Sequence, residues 1–101
     1  MTATTQPKMV GPVLRGADAE MAEAIIEAIE IDNPDREVRV DDQRGYIRVS
    51  CPERCRLTRQ TLAEVLDRDL DIAEVEPALS AFAGRMQMTD DEIVWYLERK
   101  D

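Results

Sequence analysis

The chain has 101 residues, 44% of them hydrophobic, and carries 22 acidic against 13 basic side chains with no histidine, a formal net charge of −9. Such a length supports one modest core burying about two-thirds of the unfolded surface, not two independent cores. The charge excludes unspecific nucleic-acid binding and association with anionic membranes, and it favours partners with basic patches. Phe82, Tyr46, Tyr96 and Trp95 are the only aromatic residues, so the core must be aliphatic. No run of about 18 apolar residues exists to span a membrane, and residues 1–16 lack the apolar centre of a signal peptide, so a cytoplasmic location is expected.

Residues 1–9 are polar and aperiodic and read as a flexible N-terminal tail. Val10-Gly11-Pro12-Val13-Leu14-Arg15 reads as a short strand. Its proline lacks an N–H, which places the strand at a sheet edge or starts it after Pro12. Asp18 is a good N-cap for a helix running to about Ile31, with Glu20 in its first turn. Met21, Ala22, Ile25, Ile26, Ala28 and Ile29 form its apolar stripe, and Glu20, Glu23, Glu27 and Glu30 lie mostly opposite. Pro34 disfavours the helical conformation at Asn33, so the helix should stop by about Asp32 and turn a polar corner.

Strict alternation follows. Residues 37–41 and 46–50 read as a hairpin around the turn-rich Asp42-Gln43-Arg44-Gly45, with Val38, Val40, Ile47 and Val49 inward and Arg39, Tyr46 and Arg48 outward. Cys51 and Cys55 are the only cysteines. Without histidine they cannot complete a four-ligand zinc or iron–sulfur site, and in a reducing cytosol two free thiols are expected.

A short strand at 56–57 then leads to Thr58, a cap for a helix whose stripe is Leu62, Val65 and Leu66 and which ends at Asp67-Arg68-Asp69. Asp71 and Glu74 have capping-box spacing for one further short helix, terminated by Pro77. Residues 79–88 read as a strand with Phe82, Gly84, Met86 and Met88 on one face, Gly84 marking a bulge or a close backbone approach. A turn at 89–92 precedes a closing strand at 93–97, rich in β-branched and aromatic residues, and 98–101 form a charged end. The order β-α-β-β occurs twice, without a residue-level repeat. The expected fold is α/β (α+β), two βαββ units at about 10–50 and 55–98 packed in one small domain.

Catalytic chemistry is missing from this inventory. There is no histidine to act as a base, no Gly-rich phosphate loop and no serine in a nucleophile motif. The acidic pairs fall at turns and ends, where solvation accounts for them, and the Asp67/Asp69/Asp71 series lacks the glycine and terminal glutamate of an EF-hand loop. No catalytic residue, metal ligand or cofactor is expected.

Taken in order, Val10-Gly11-Pro12, Glu30-Ile31-Asp32-Asn33-Pro34, Leu57-Thr58-Arg59 with Thr61-Leu62, and Phe82-Ala83-Gly84-Arg85-Met86-Gln87 resemble the small effector proteins of soluble diiron monooxygenases. These are also called coupling or regulatory proteins, and the likeness is greatest to those of toluene and alkene monooxygenases. The resemblance implies a cofactor-free effector domain over 10–101 that docks on the diiron hydroxylase component of a multicomponent monooxygenase. It would tune oxygen activation, substrate access and the coupling of NADH oxidation to hydroxylation or epoxidation, alongside a ferredoxin and an NADH-dependent reductase. Asn33, Pro34, Asp35, Tyr46, Gly84, Arg85 and Gln87 are the expected hydroxylase contacts. For Asn33 a second reading stays open, that it merely satisfies the end of the first helix. An alternative from another class is a free-standing acidic protein-interaction module.

Overall fold

The computed structural model describes residues 8–97. The tail expected over 1–9, Lys8 and Met9 aside, and the charged end at 98–101 therefore lie outside the described residues. The apolar stripe of the first helix, α1 (Ala19–Asp32), positions everything else: Met21, Ala22, Ala24, Ile25, Ala28 and Ile29 are buried, and the four glutamates face away. Asp18 caps it as the sequence predicts, its carboxylate accepting from the Met21 N–H at 3.1 Å.

Two antiparallel sheets hold the strands. The first has the order β2 (Arg39–Gln43), β3 (Tyr46–Pro52), β1 (Met9–Arg15), β5 (Leu79–Ala83), and the second the order β4 (Arg54–Thr58), β7 (Glu92–Tyr96), β6 (Arg85–Met88). Helix α2 (Arg59–Leu66) and a 3-10 helix (Ile72–Ala78) complete the fold. The mixed helix-and-strand class read from the sequence stands.

Single residues carry the chain from sheet to sheet. Glu53, with φ 67°, joins β3 to β4, and Gly84, with φ 91°, joins β5 to β6. Strands β3 and β5 flank β1 in one sheet, and β4 and β6 flank β7 in the other. The strand expected over 79–88 is therefore two strands bent at Gly84. Met86 and Met88 pack against the core, but Phe82 sits at the outer edge of the first sheet and is exposed. A Cβ on Gly84 would lie 2.7 Å from Val10 Cγ1 and 2.8 Å from the Tyr96 carbonyl oxygen. That is the close backbone approach expected there, made where β1 begins and β7 ends.

Three further expectations change. Pro12 lies inside β1, a central strand, not at an edge. The distortion is taken up locally: Gly11 has φ 147°, the β1–β3 register skips Gly11 and Pro12, and a bulge shifts the β1–β5 register at Val13/Leu14. Val40 is not core. It lies on edge strand β2 and faces a cleft of about 470 Å³ shared with Ile26 and Ile47, so it stays 42% exposed. Pro77 does not end the short helix but sits within it, one residue before its end. Its start follows expectation, with Glu74 Oε2 accepting from the Asp71 N–H at 2.9 Å.

The core is one continuous cluster. Val10, Leu14, Val49 and Cys51 of the first sheet meet Cys55, Leu57, Ile93 and Trp95 of the second beneath α1, with Leu62 of α2. Trp95, central in its sheet, is fully buried.

Candidate docking surface

Asn33 closes α1, and its side chain turns inward. The Nδ2 group donates to the Ile29 carbonyl at 2.6 Å and to the Arg56 carbonyl at 2.8 Å, while Oδ1 accepts from the Arg56 N–H at 3.1 Å. The amide thus mimics a strand neighbour, satisfying both backbone groups of Arg56 on the outer edge of β4, and Asn33 is only 7% exposed. Beside it, the Asp32 carboxylate accepts from the Thr58 N–H at 2.8 Å, from Thr58 Oγ1 at 3.0 Å and from Thr61 Oγ1 at 2.7 Å. Two adjacent polar residues therefore tie the end of α1 to β4 and to the start of α2. Arg36 folds the corner back, its guanidinium donating to the Pro52 carbonyl at 2.5 Å. Pro34 and Asp35 are the residues of the corner that face outward.

The remaining expected contacts lie elsewhere. Tyr46 opens β3 opposite Arg15 and Gln43 and is 43% exposed. Arg85 and Gln87 point outward from β6, paired across β7 with Tyr96 and Val94, beyond which stand Arg54 and Arg56 of β4. The structure brings Arg85, Gln87 and the Gly84 joint together on the second sheet. Tyr46 is on the first sheet, and the Asn33 corner lies beyond the opposite edge of the second.

Sequence reasoning overlooked the arginines around these positions. Arg54 and Arg56 alternate with core residues Cys55 and Leu57, and Arg15 neighbours Tyr46. Period-two spacing of arginine in strands was the available signal. Arg56 forms an ion pair with Glu92 at 2.6 Å, which raises its pKa.

Both cysteines are free thiols and fully buried. Their side chains share a hydrogen bond, which together with burial pushes the Cys55 thiol far above the usual range and keeps it protonated. Among the described residues no group of three or more histidine, cysteine, aspartate or glutamate side chains is placed to hold a metal ion, and no helix is long and apolar enough to cross a membrane.

Comparison with known proteins covers nearly the whole chain. The MmoB/DmpM family model matches residues 8–96. The effector subunit of the alkene monooxygenase system of Xanthobacter autotrophicus is 41% identical over 88 residues, spanning 87% of this chain and 85% of that protein. Two structures of a phenol hydroxylase–regulatory protein complex contain a similar chain. One aligns with a TM-score of 0.75 and 28% identity over 90% of this chain and 100% of that one, the other with 0.70 and 29% over 88% and 99%. The soluble methane monooxygenase regulatory protein B shares the fold, with a TM-score of 0.65 and 19% identity over 97% of this chain and 71% of that one.

Proposed function

The chain belongs to the MmoB/DmpM family, and from that membership we propose that it is the effector of a multicomponent monooxygenase, acting on the diiron hydroxylase component without performing catalysis itself. The observation that carries this reading is the 41% identity to an alkene monooxygenase effector over most of both chains. The likeness to the regulatory chain complexed with phenol hydroxylase supports a hydroxylase as the partner.

A protein that performs no catalysis itself changes another protein's chemistry only by binding one of its conformations more tightly than another. A differential affinity of about 3 kcal/mol shifts such a population more than a hundredfold. The effector favours the hydroxylase conformation in which oxygen activation, substrate entry and electron delivery from a ferredoxin and an NADH-dependent reductase are in step. Pro34, Asp35, Tyr46, Arg85 and Gln87 contribute side chains to the contact. Gly84 and Asn33 contribute by holding the backbone around them.

Reconstitution tests this reading. Hydroxylase, ferredoxin, reductase and NADH are combined with an alkene or aromatic substrate, with and without this protein. The expected result is more product per NADH consumed when it is present. An unchanged ratio would return the chain to the alternative of a free-standing acidic interaction module.

A further inference from the structure

The charges of this acidic protein are sorted by face. Helix α1 contains Glu20, Glu23, Glu27 and Glu30 on its exposed side and no lysine or arginine. In the two sheets the strand registers turn Arg15, Arg39, Arg48, Arg54, Arg56 and Arg85 away from the core. Among the described residues they share these faces with Asp41, with Glu92, which pairs with Arg56 at 2.6 Å, and with Glu37, which pairs with Arg39 at 3.6 Å. Of the 13 basic residues in the chain, nearly half thus occupy the sheets' outer surface.

The composition there is also that of a contact. The cations are arginine, as is every basic residue of the chain except Lys8 and Lys100, and exposed Tyr46 and half-buried Tyr96 stand among them. Arginine and tyrosine are the residues enriched at energetically dominant interface positions, and lysine is depleted. Ala81 and Ala83 of edge strand β5 are short and exposed, so an opposing surface can approach closely there. Against a net charge of −9, such a face is where the field of the molecule is least repulsive to an anionic surface.

We propose that the outward faces of the two sheets, through Arg15, Arg48, Arg54 and Arg85 with Tyr46 and Tyr96, seat this protein on an acidic surface of its hydroxylase, leaving the glutamate face of α1 turned to solvent. This rests on the effector reading and reverses what net charge alone implies about the partner. The acidic helix face then orients the approach, because it is repelled by the surface that attracts the arginines.

The test titrates effector into hydroxylase and reads both direct binding and product per NADH at several salt concentrations. Arg15→Glu with Arg48→Glu, and separately Arg54→Glu, are compared with Glu23→Lys with Glu27→Lys on α1. Arg15→Ala with Arg48→Ala serves as a milder pair, and thermal melts establish that each variant is folded. At low salt the paired arginine reversal is expected to raise the half-saturating concentration about tenfold or more, with Arg54→Glu having a smaller effect in the same direction. Product per NADH should recover at excess effector, and added salt should weaken the wild type while narrowing its gap from the variants. The helix reversals should leave half-saturation within about twofold. Loss of affinity in the helix pair with none in the arginine variants would overturn the proposal, as would wild-type binding that ignores salt. Failure of the wild type to bind hydroxylase at all would instead remove the effector reading beneath it.

Discussion

The corner at Asn33 and the joint at Gly84 make opposite use of their residues. At the corner a polar side chain is wholly engaged inside the protein, bridging α1 to the backbone of Arg56. At the joint a residue without a side chain is held by the absence of space, with Val10 and the Tyr96 carbonyl pressed against it. The polarity of Asn33 therefore says little about its availability to a partner, and the smallness of Gly84 says much about its neighbours. Both fix backbone at a place where elements cross, and both should betray themselves first in stability.

Gly84→Val sharpens the contrast most. The left-handed φ and the two sub-3 Å approaches together predict a loss of about 4 kcal/mol. Chemical denaturation checks it, and a loss below about 1 kcal/mol would show that the joint relaxes cheaply. Asn33→Ala follows at about 2 kcal/mol, because both backbone groups of Arg56 lose their partner, which lowers the melting temperature by about 8–16 °C. Measured well below that temperature, half-saturation of hydroxylase should barely move. A large change in affinity with an unaltered melt would break the comparison and make Asn33 a direct contact.

Asp32→Ala tests the other half of the corner. It strands the Thr58 N–H and two threonine hydroxyls that water partly reaches, for an expected loss of about 1.5 kcal/mol by denaturation. Arg56→Gln removes only a solvent-facing ion pair with Glu92 and should cost about 0.5 kcal/mol, falling further with added salt. The smallest effect is a pH dependence. The Asp71 N–H, helped by the Arg68 guanidinium, holds the Glu74 carboxyl below its usual range. A depressed folded pKa means that the contribution is present above the unfolded value of about 4.3 and disappears as pH falls through the folded value. Glu74→Gln should thus be slightly less stable than wild type near neutrality and match it in acid.

Much was legible in the chain itself. Periodicity, Asp18 and the proline after Asn33 define α1 almost to the residue, since a cap and a breaker act locally. Thr58 does the same for α2, accepting from the Thr61 N–H at 3.2 Å. The motif order was enough to point to the effector family, because it runs through nearly the entire length of the chain. Hairpin limits shifted by two residues: the strands are Arg39–Gln43 and Tyr46–Pro52, with only Arg44 and Gly45 between them. Pairing extends wherever a partner strand allows, whatever the local propensity.

Only the tertiary structure decided where the strands belong and what their polar residues meet. Nothing local in residues 79–88 says that the chain leaves one sheet for the other at Gly84, because the reason is Val10 and Tyr96, both distant in sequence. Pro12 is tolerated in a central strand because distortion in two neighbouring ladders absorbs it. Alternation in the sequence separates inward from outward residues, but it cannot tell which outward residues will be neighbours across strands. Which arginines stand side by side on an outward face follows from sheet order and register, which are set by contacts between segments far apart in the chain.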